Sequence, residues 1–103
     1  MYEEHAQSIG RLVDQKNKAY GDSFRNSGDI LRILYPEGIK PEQYDDMLAL
    51  ARIIDKLFRI ATNRDAFSEN PYVDIAGYAI LRSKQIEEEK KKKKLEVIKN
   101  EKI

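Results

Sequence analysis

Asn70, Asp74 and Tyr78 recur every four residues in "NPYVDIAGYAIL", residues 70–81. That spacing lines them up along one side of a helix. An amide, a carboxylate and a phenol on one stripe suit the hydroxyl and N–H groups of a small polar ligand. Val73, Gly77, Ile80 and Leu81 make the adjoining surface apolar. Structural roles also fit the polar members, with Asn70 as a helix cap and Asp74 as a partner for the helix dipole in the first turn. Gly77 is harder to place, because a glycine inside a helix costs ~1 kcal/mol relative to alanine. Close approach by another backbone or by a flat ligand would account for it.

Two further stretches carry similar chemistry. Asp45, Arg52, Asp55, Lys56 and Arg59 recur at spacings of seven, three or four and gather on one side of a helix. They read either as a solvent face laced by Arg52–Asp55 and Asp55–Arg59 pairs or as one wall of a site. In "KAYGDSFRNSGDI", residues 18–30, Lys18 and Arg25 are cations suited to phosphate, and Tyr20 and Phe24 are rings suited to a base. Gly21 permits close backbone approach, and the helix start after it offers free N–H groups to an anion. The alternative is a helix–turn–helix corner whose aromatics fill the core.

Four helices must position these residues, giving an all-α, compact bundle with a long charged C-terminal helical extension. The first runs from about Glu3 to Ala19, with Ala6, Ile9, Leu12, Val13 and Ala19 as its apolar stripe. Tyr20-Gly21 ends it, and Asp22 or Ser23 caps a second helix built on Phe24, Ile30, Leu31, Ile33 and Leu34. Gly28 weakens that helix in its middle, where a break or a ligand could come. "YPEGIKP" is turn chemistry, after which Pro41 opens a third helix reaching about Thr62. Its buried set is Met47, Leu50, Ala51, Ile54, Leu57, Phe58 and Ala61. Past the polar "NRDAFSEN", Asn70 caps the fourth helix and Pro71 takes its first position. Residues 1–84 form the body, and 85–103 a charged, solvated helical or frayed tail, in which Glu87, Glu88 and Glu89 stand four residues before Lys91, Lys92 and Lys93.

Composition narrows the function classes. A chain of 103 residues, 36% charged and 41% hydrophobic, reads as one soluble domain. There is no cysteine and only one histidine, His5, so a metal would rest on carboxylates, as Mg²⁺ does. Neither a signal peptide nor an apolar run of membrane-spanning length is read, which points to the cell interior (cytoplasm). Net charge is +1; residues 84–103 hold eight Lys and five Glu, a net +3, leaving −2 on residues 1–83. A body so balanced is not expected to bind duplex nucleic acid.

In chain order, Tyr20-Gly21, Phe24, Lys56 with Arg59, Asn70 and Asp74-Ile75-Ala76-Gly77-Tyr78-Ala79 resemble the pattern of a phage protein family related to the nucleotide modification associated domain. More distantly the chain is similar to MazG-like all-α nucleotide pyrophosphohydrolases, over roughly residues 12–84. The resemblance implies a nucleotide ligand. In a hydrolase, Asp55 and Asp74 would be the catalytic carboxylates holding Mg²⁺, with Asn70 assisting, while bound water attacks between the α and β phosphorus atoms. Lys18, Arg25, Lys56 and Arg59 would neutralise phosphates, and Tyr20, Phe24 and Tyr78 would face the base or sugar, beside Gly21. The pattern departs from the enzymes at Pro71, which stands where they place a ligating acid, and in having no Glu-x-x-Glu on the third helix. A binder that sequesters a nucleotide or cyclic nucleotide signal, a counter-defence sponge, needs the cations and rings but not the missing acids. A helical interaction module whose polar stripes pair with one another is the third class. Four short helices leave apolar surface uncovered, so a homo-oligomer with its site near a subunit contact is expected.

Overall fold

The computed structural model describes residues 1–101, and all secondary structure in them is helical. Helix α1 spans Tyr2–Ala19, α2 Ser23–Leu34, α3 Tyr44–Asn63 and α4 Pro71–Glu101. Short 3-10 turns at Pro41–Gln43 and Ala66–Ser68 lead into α3 and α4. The all-α bundle with a long C-terminal helix is therefore as the sequence predicts.

Local chemistry explains the joints. Gly21 and Asp22 are both left-handed, with φ of 62° and 53°, and they swing the chain from α1 into α2. Glycine is needed at the first, since a Cβ there would collide with the Thr62 side chain on α3. The space beside Gly21 on that side is thus filled by Thr62 and Phe58 of α3. Gly28 leaves α2 unbroken. Before α4, Asn70 Oδ1 accepts the Tyr72 N–H at 3.1 Å, the cap its position predicts.

Helix α3 is the centre of the fold. It packs most extensively on α4, next on α2, and only slightly on α1. Ile54 is the buried apolar side chain on α3, while Leu50, Ile53, Phe58, Ile75 and Ile86 are half-buried. Leu57 and Ala61, expected inside, are exposed.

The largest departure concerns α1. Every residue of it except Ala19 is exposed, including Ile9, Leu12 and Val13 of the predicted core stripe. Helix α1 touches the body only slightly, so nothing within the chain covers that stripe. At the other end α4 stays helical through Glu101, longer than a frayed tail; Lys102 and Ile103 of the predicted tail lie outside the described residues. The radius of gyration is 19.3 Å, against about 13 Å for a compact chain of this length. No helix among the described residues is long and apolar enough to cross a membrane.

Candidate functional site

The charged stripe of α3 does not act as one face. Neither the Arg52–Asp55 nor the Asp55–Arg59 pair forms; each side chain instead reaches for a different neighbour. Asp55 accepts a short hydrogen bond from the Ser23 hydroxyl, tying α3 to the first turn of α2. Arg52 lies over the Tyr78 ring of α4, 5.7 Å from its centroid. Lys56 pairs with Asp74 of α4 at 3.5 Å.

Arg59 turns inward and is 1% exposed. One nitrogen donates to Glu69 Oε2 at 2.6 Å. The other donates to the Ala66 carbonyl at 2.6 Å and the Glu69 carbonyl at 3.1 Å. The guanidinium also lies 5.6 Å from the Tyr20 ring centroid, and Tyr20 meets Phe67 edge-on. Phe67 and Ser68 carry φ of 58° and 56°, so this cation holds a strained loop in place. With those partners taken, Arg59 is a structural hub and not a free phosphate ligand. Glu69, which sequence reasoning missed, completes it; its one signal was an acid immediately before the Asn70 cap.

One turn away the arrangement is open. Lys56, Asn70, Val73, Asp74 and Tyr78, with Glu69 at the inner edge, line a cleft of about 490 Å³ between α3 and α4. Four residues singled out from the sequence, Lys56, Asn70, Asp74 and Tyr78, therefore meet. Asp74 is 41% exposed at its side chain and has Lys56 as its ion-pair partner. A phosphate oxygen can replace that carboxylate on Lys56, and Asp74 is then free to accept ligand hydroxyl or N–H donors.

The remaining candidates sit elsewhere. Lys18 lines a separate hollow of about 450 Å³ with Gln15, Thr62, Asn63 and Phe67. Arg25 is exposed and pairs with Asp22 at 3.4 Å, and Phe24 is 97% exposed at the start of α2. Gly77, half-buried on α4, has no described heavy atom outside its own helix backbone within 4 Å of where a Cβ would stand. The close approach expected there is not made within the chain. Asp45 lies beside Arg52 and Tyr78 in a smaller groove of about 220 Å³.

A wider hollow, about 610 Å³, lies between α3 and α4 beside Tyr35 and was not foreseen. Tyr35, Leu50, Ile53, Ala79 and Ile86 give it an apolar floor. At its rim Arg82 bonds Asp46 at 2.7 Å and meets Glu89 at 3.4 Å. The bond to Asp46 raises the Arg82 guanidinium above its ordinary pKa.

The donors expected for Mg²⁺ do not converge. Asp55 is bonded to Ser23 on the α2 side, and Asp74 faces an ammonium group across the other side of α3. No group of three His, Cys, Asp or Glu among the described residues is placed to hold a metal ion. Mg²⁺ needs a near-octahedral oxygen shell, usually anchored on one or two carboxylates beside the substrate phosphates. As placed, these residues do not fit it.

In comparisons with known proteins, no family model, no curated protein and no solved structure matches this chain.

Proposed function

We propose that the chain is a nucleotide-binding protein of the phage type, holding its ligand in the α3–α4 cleft by charge and stacking and without turning it over. The supporting observation is the meeting of Lys56, Asn70, Asp74 and Tyr78 around one open cleft, with Arg52 fixed over the Tyr78 ring. In this reading Lys56 takes a phosphate, Asp74 takes a sugar hydroxyl or a base N–H, and Tyr78 supports the base. Asn70 has its carbonyl engaged in the cap and offers its amide N–H groups. The resemblance to the nucleotide modification associated family and to MazG-like enzymes points to the same ligand class.

Sequestration is preferred to Mg²⁺-dependent pyrophosphohydrolysis because the carboxylates are individually engaged. The protein acts in the host cytoplasm as a homo-oligomer, on a small nucleotide and not on duplex nucleic acid. Titration calorimetry against linear and cyclic nucleotides, each with Mg²⁺ or chelator, tests the proposal alongside a product assay. The expected result is binding that chelator leaves unchanged, with no product, and that Lys56→Ala weakens at least tenfold. Binding to no member of the panel overturns it. Mg²⁺-dependent pyrophosphate release that Asp74→Ala abolishes would establish the hydrolase instead.

A further inference from the structure

The chain carries two uncovered apolar features of complementary shape. One is the convex stripe of α1, where Ala6, Ile9 and Val13 follow one another at helical spacing with Leu12 beside them, all exposed. The other is the concave groove between α3 and α4, flanked by Tyr35 just past the end of α2 and floored by Leu50, Ile53, Ala79 and Ile86. Two packed helices with an apolar trough between them leave a place for a third. Most helical stability in proteins comes from packing an amphipathic face, so the extended 18-residue α1 needs a surface to lie on.

Helix α1 does not lie in its own groove. Helix α1 is anchored through Ala19 and Gly21 beside Thr62, near the end of α3. Leu50 lies twelve residues earlier on α3, about 18 Å along the axis. The slight contact of α1 with α3 shows that it does not run back along that helix.

The area involved matches a second copy. The accessible surface is 8594 Å² for a mass of 12.0 kDa, whereas a compact monomer of that mass exposes about 6000 Å². The projecting end of α4 accounts for part of the excess. The whole, about 2600 Å² per chain, is on the scale that obligate homodimers bury. We infer that α1 is an exchange arm: its Ala6–Ile9–Val13 stripe fills the α3–α4 groove beside Tyr35 of a second copy, which returns its own α1. Reciprocal exchange about a two-fold axis covers both features of both chains at once. A peptide or an unrelated partner in the groove would leave the arm bare. The short left-handed link Gly21-Asp22 is the hinge from which the arm departs. This assigns the contact surfaces of the homo-oligomer named above and stands whether or not the cleft takes a nucleotide.

Because the chain has no cysteine, a disulfide can report the contact directly. Ala6→Cys on the arm and Ser83→Cys in the groove are made in separate preparations, mixed and mildly oxidised. The expected product is a covalent heterodimer, with Leu95→Cys on the tail failing to replace Ser83→Cys. Light scattering of the unaltered chain at micromolar concentration should give twice 12.0 kDa. Ile9→Asp should halve that mass. A monomeric mass for the unaltered chain overturns the proposal. So does a dimer in which the arm cysteine fails to link to the groove cysteine, whatever Ile9→Asp does to folding. The groove shares Tyr78 with the cleft, but the disulfide and the mass are read without nucleotide, so the two proposals fail separately.

Discussion

Lys56 and Arg59 stand three residues apart on α3, and their environments are opposite. Arg59 is enclosed by a carboxylate, two carbonyls and a ring, all supplied by the chain. Lys56 meets one half-exposed carboxylate across an open cleft. Their neighbours make the difference. The loop after α3 turns back on itself and points its Ala66 and Glu69 carbonyls at Arg59, whose planar fork can satisfy several acceptors at once. Beside Lys56 the α4 backbone is already helical, so its carbonyls are engaged along the helix axis and only side chains face α3. A cation whose acceptors are backbone groups is committed to the fold. A cation paired with one mobile side chain can exchange it for a ligand.

Removing the enclosed cation should therefore have the largest effect. Arg59→Ala leaves the Ala66 and Glu69 carbonyls without their donor and opens a cavity, with an expected loss of roughly 3 kcal/mol. Arg59→Lys should recover less than half of that, because one ammonium cannot reproduce the fork. Urea denaturation measures both. If Arg59→Ala proved neutral, the division between structural and ligand-facing cations on α3 would collapse.

Asp55 offers the next test, since it shares a helix and a charge type with the cleft residues but faces α2. Ser23 is buried, and Ser23→Ala strips the carboxylate of its hydroxyl donor, with an expected cost of about 1–2 kcal/mol. Asp55→Asn should leave nucleotide affinity unchanged, while Asp74→Asn lowers it. Equal losses of affinity in both variants would restore Asp55 to the site.

Much of this was legible in the sequence. Pro71, Asn70 and the Tyr20-Gly21 corner marked helix ends because each acts through its own backbone or its nearest neighbours, whereas Pro41 opens the 3-10 turn Pro41–Gln43 and α3 itself begins at Tyr44. The meeting of Lys56 with Asp74 and Tyr78 followed from helical spacing on two adjacent segments. The partnership of Arg59 did not, because it depends on two left-handed residues, Phe67 and Ser68, in a loop with no glycine to announce the turn. The bare α1 was equally hidden. An amphipathic stripe records that a helix is covered, and says nothing about which chain covers it.

Gly77 sharpens the comparison on α4 itself. A Cβ added there meets no described atom, so Gly77→Ala should stabilise the free chain by about 0.5–1 kcal/mol through helix propensity. The melting temperature at low protein concentration, without ligand, reads this directly. A lower melting temperature would mean that a second chain is packed against that face even under those conditions.

The smallest stability effect belongs to the residue with the largest expected role in binding. The Lys56–Asp74 pair is long, at 3.5 Å, and its carboxylate is well exposed, so losing the pair should change unfolding free energy by no more than about 0.5 kcal/mol, as measured in Lys56→Met, which keeps the stem of a side chain only 16% exposed. The effect of this variant on nucleotide affinity should be at least tenfold, and the effect should shrink with added salt, because the contact is one cation on one phosphate in an open cleft. Paired measurements of stability and affinity on this variant and on Arg59→Ala separate the two fates most cleanly. A Lys56→Met chain that unfolds as easily as Arg59→Ala would place Lys56 among the residues that hold the fold together, and the cleft would lose the group that makes it attractive to an anion.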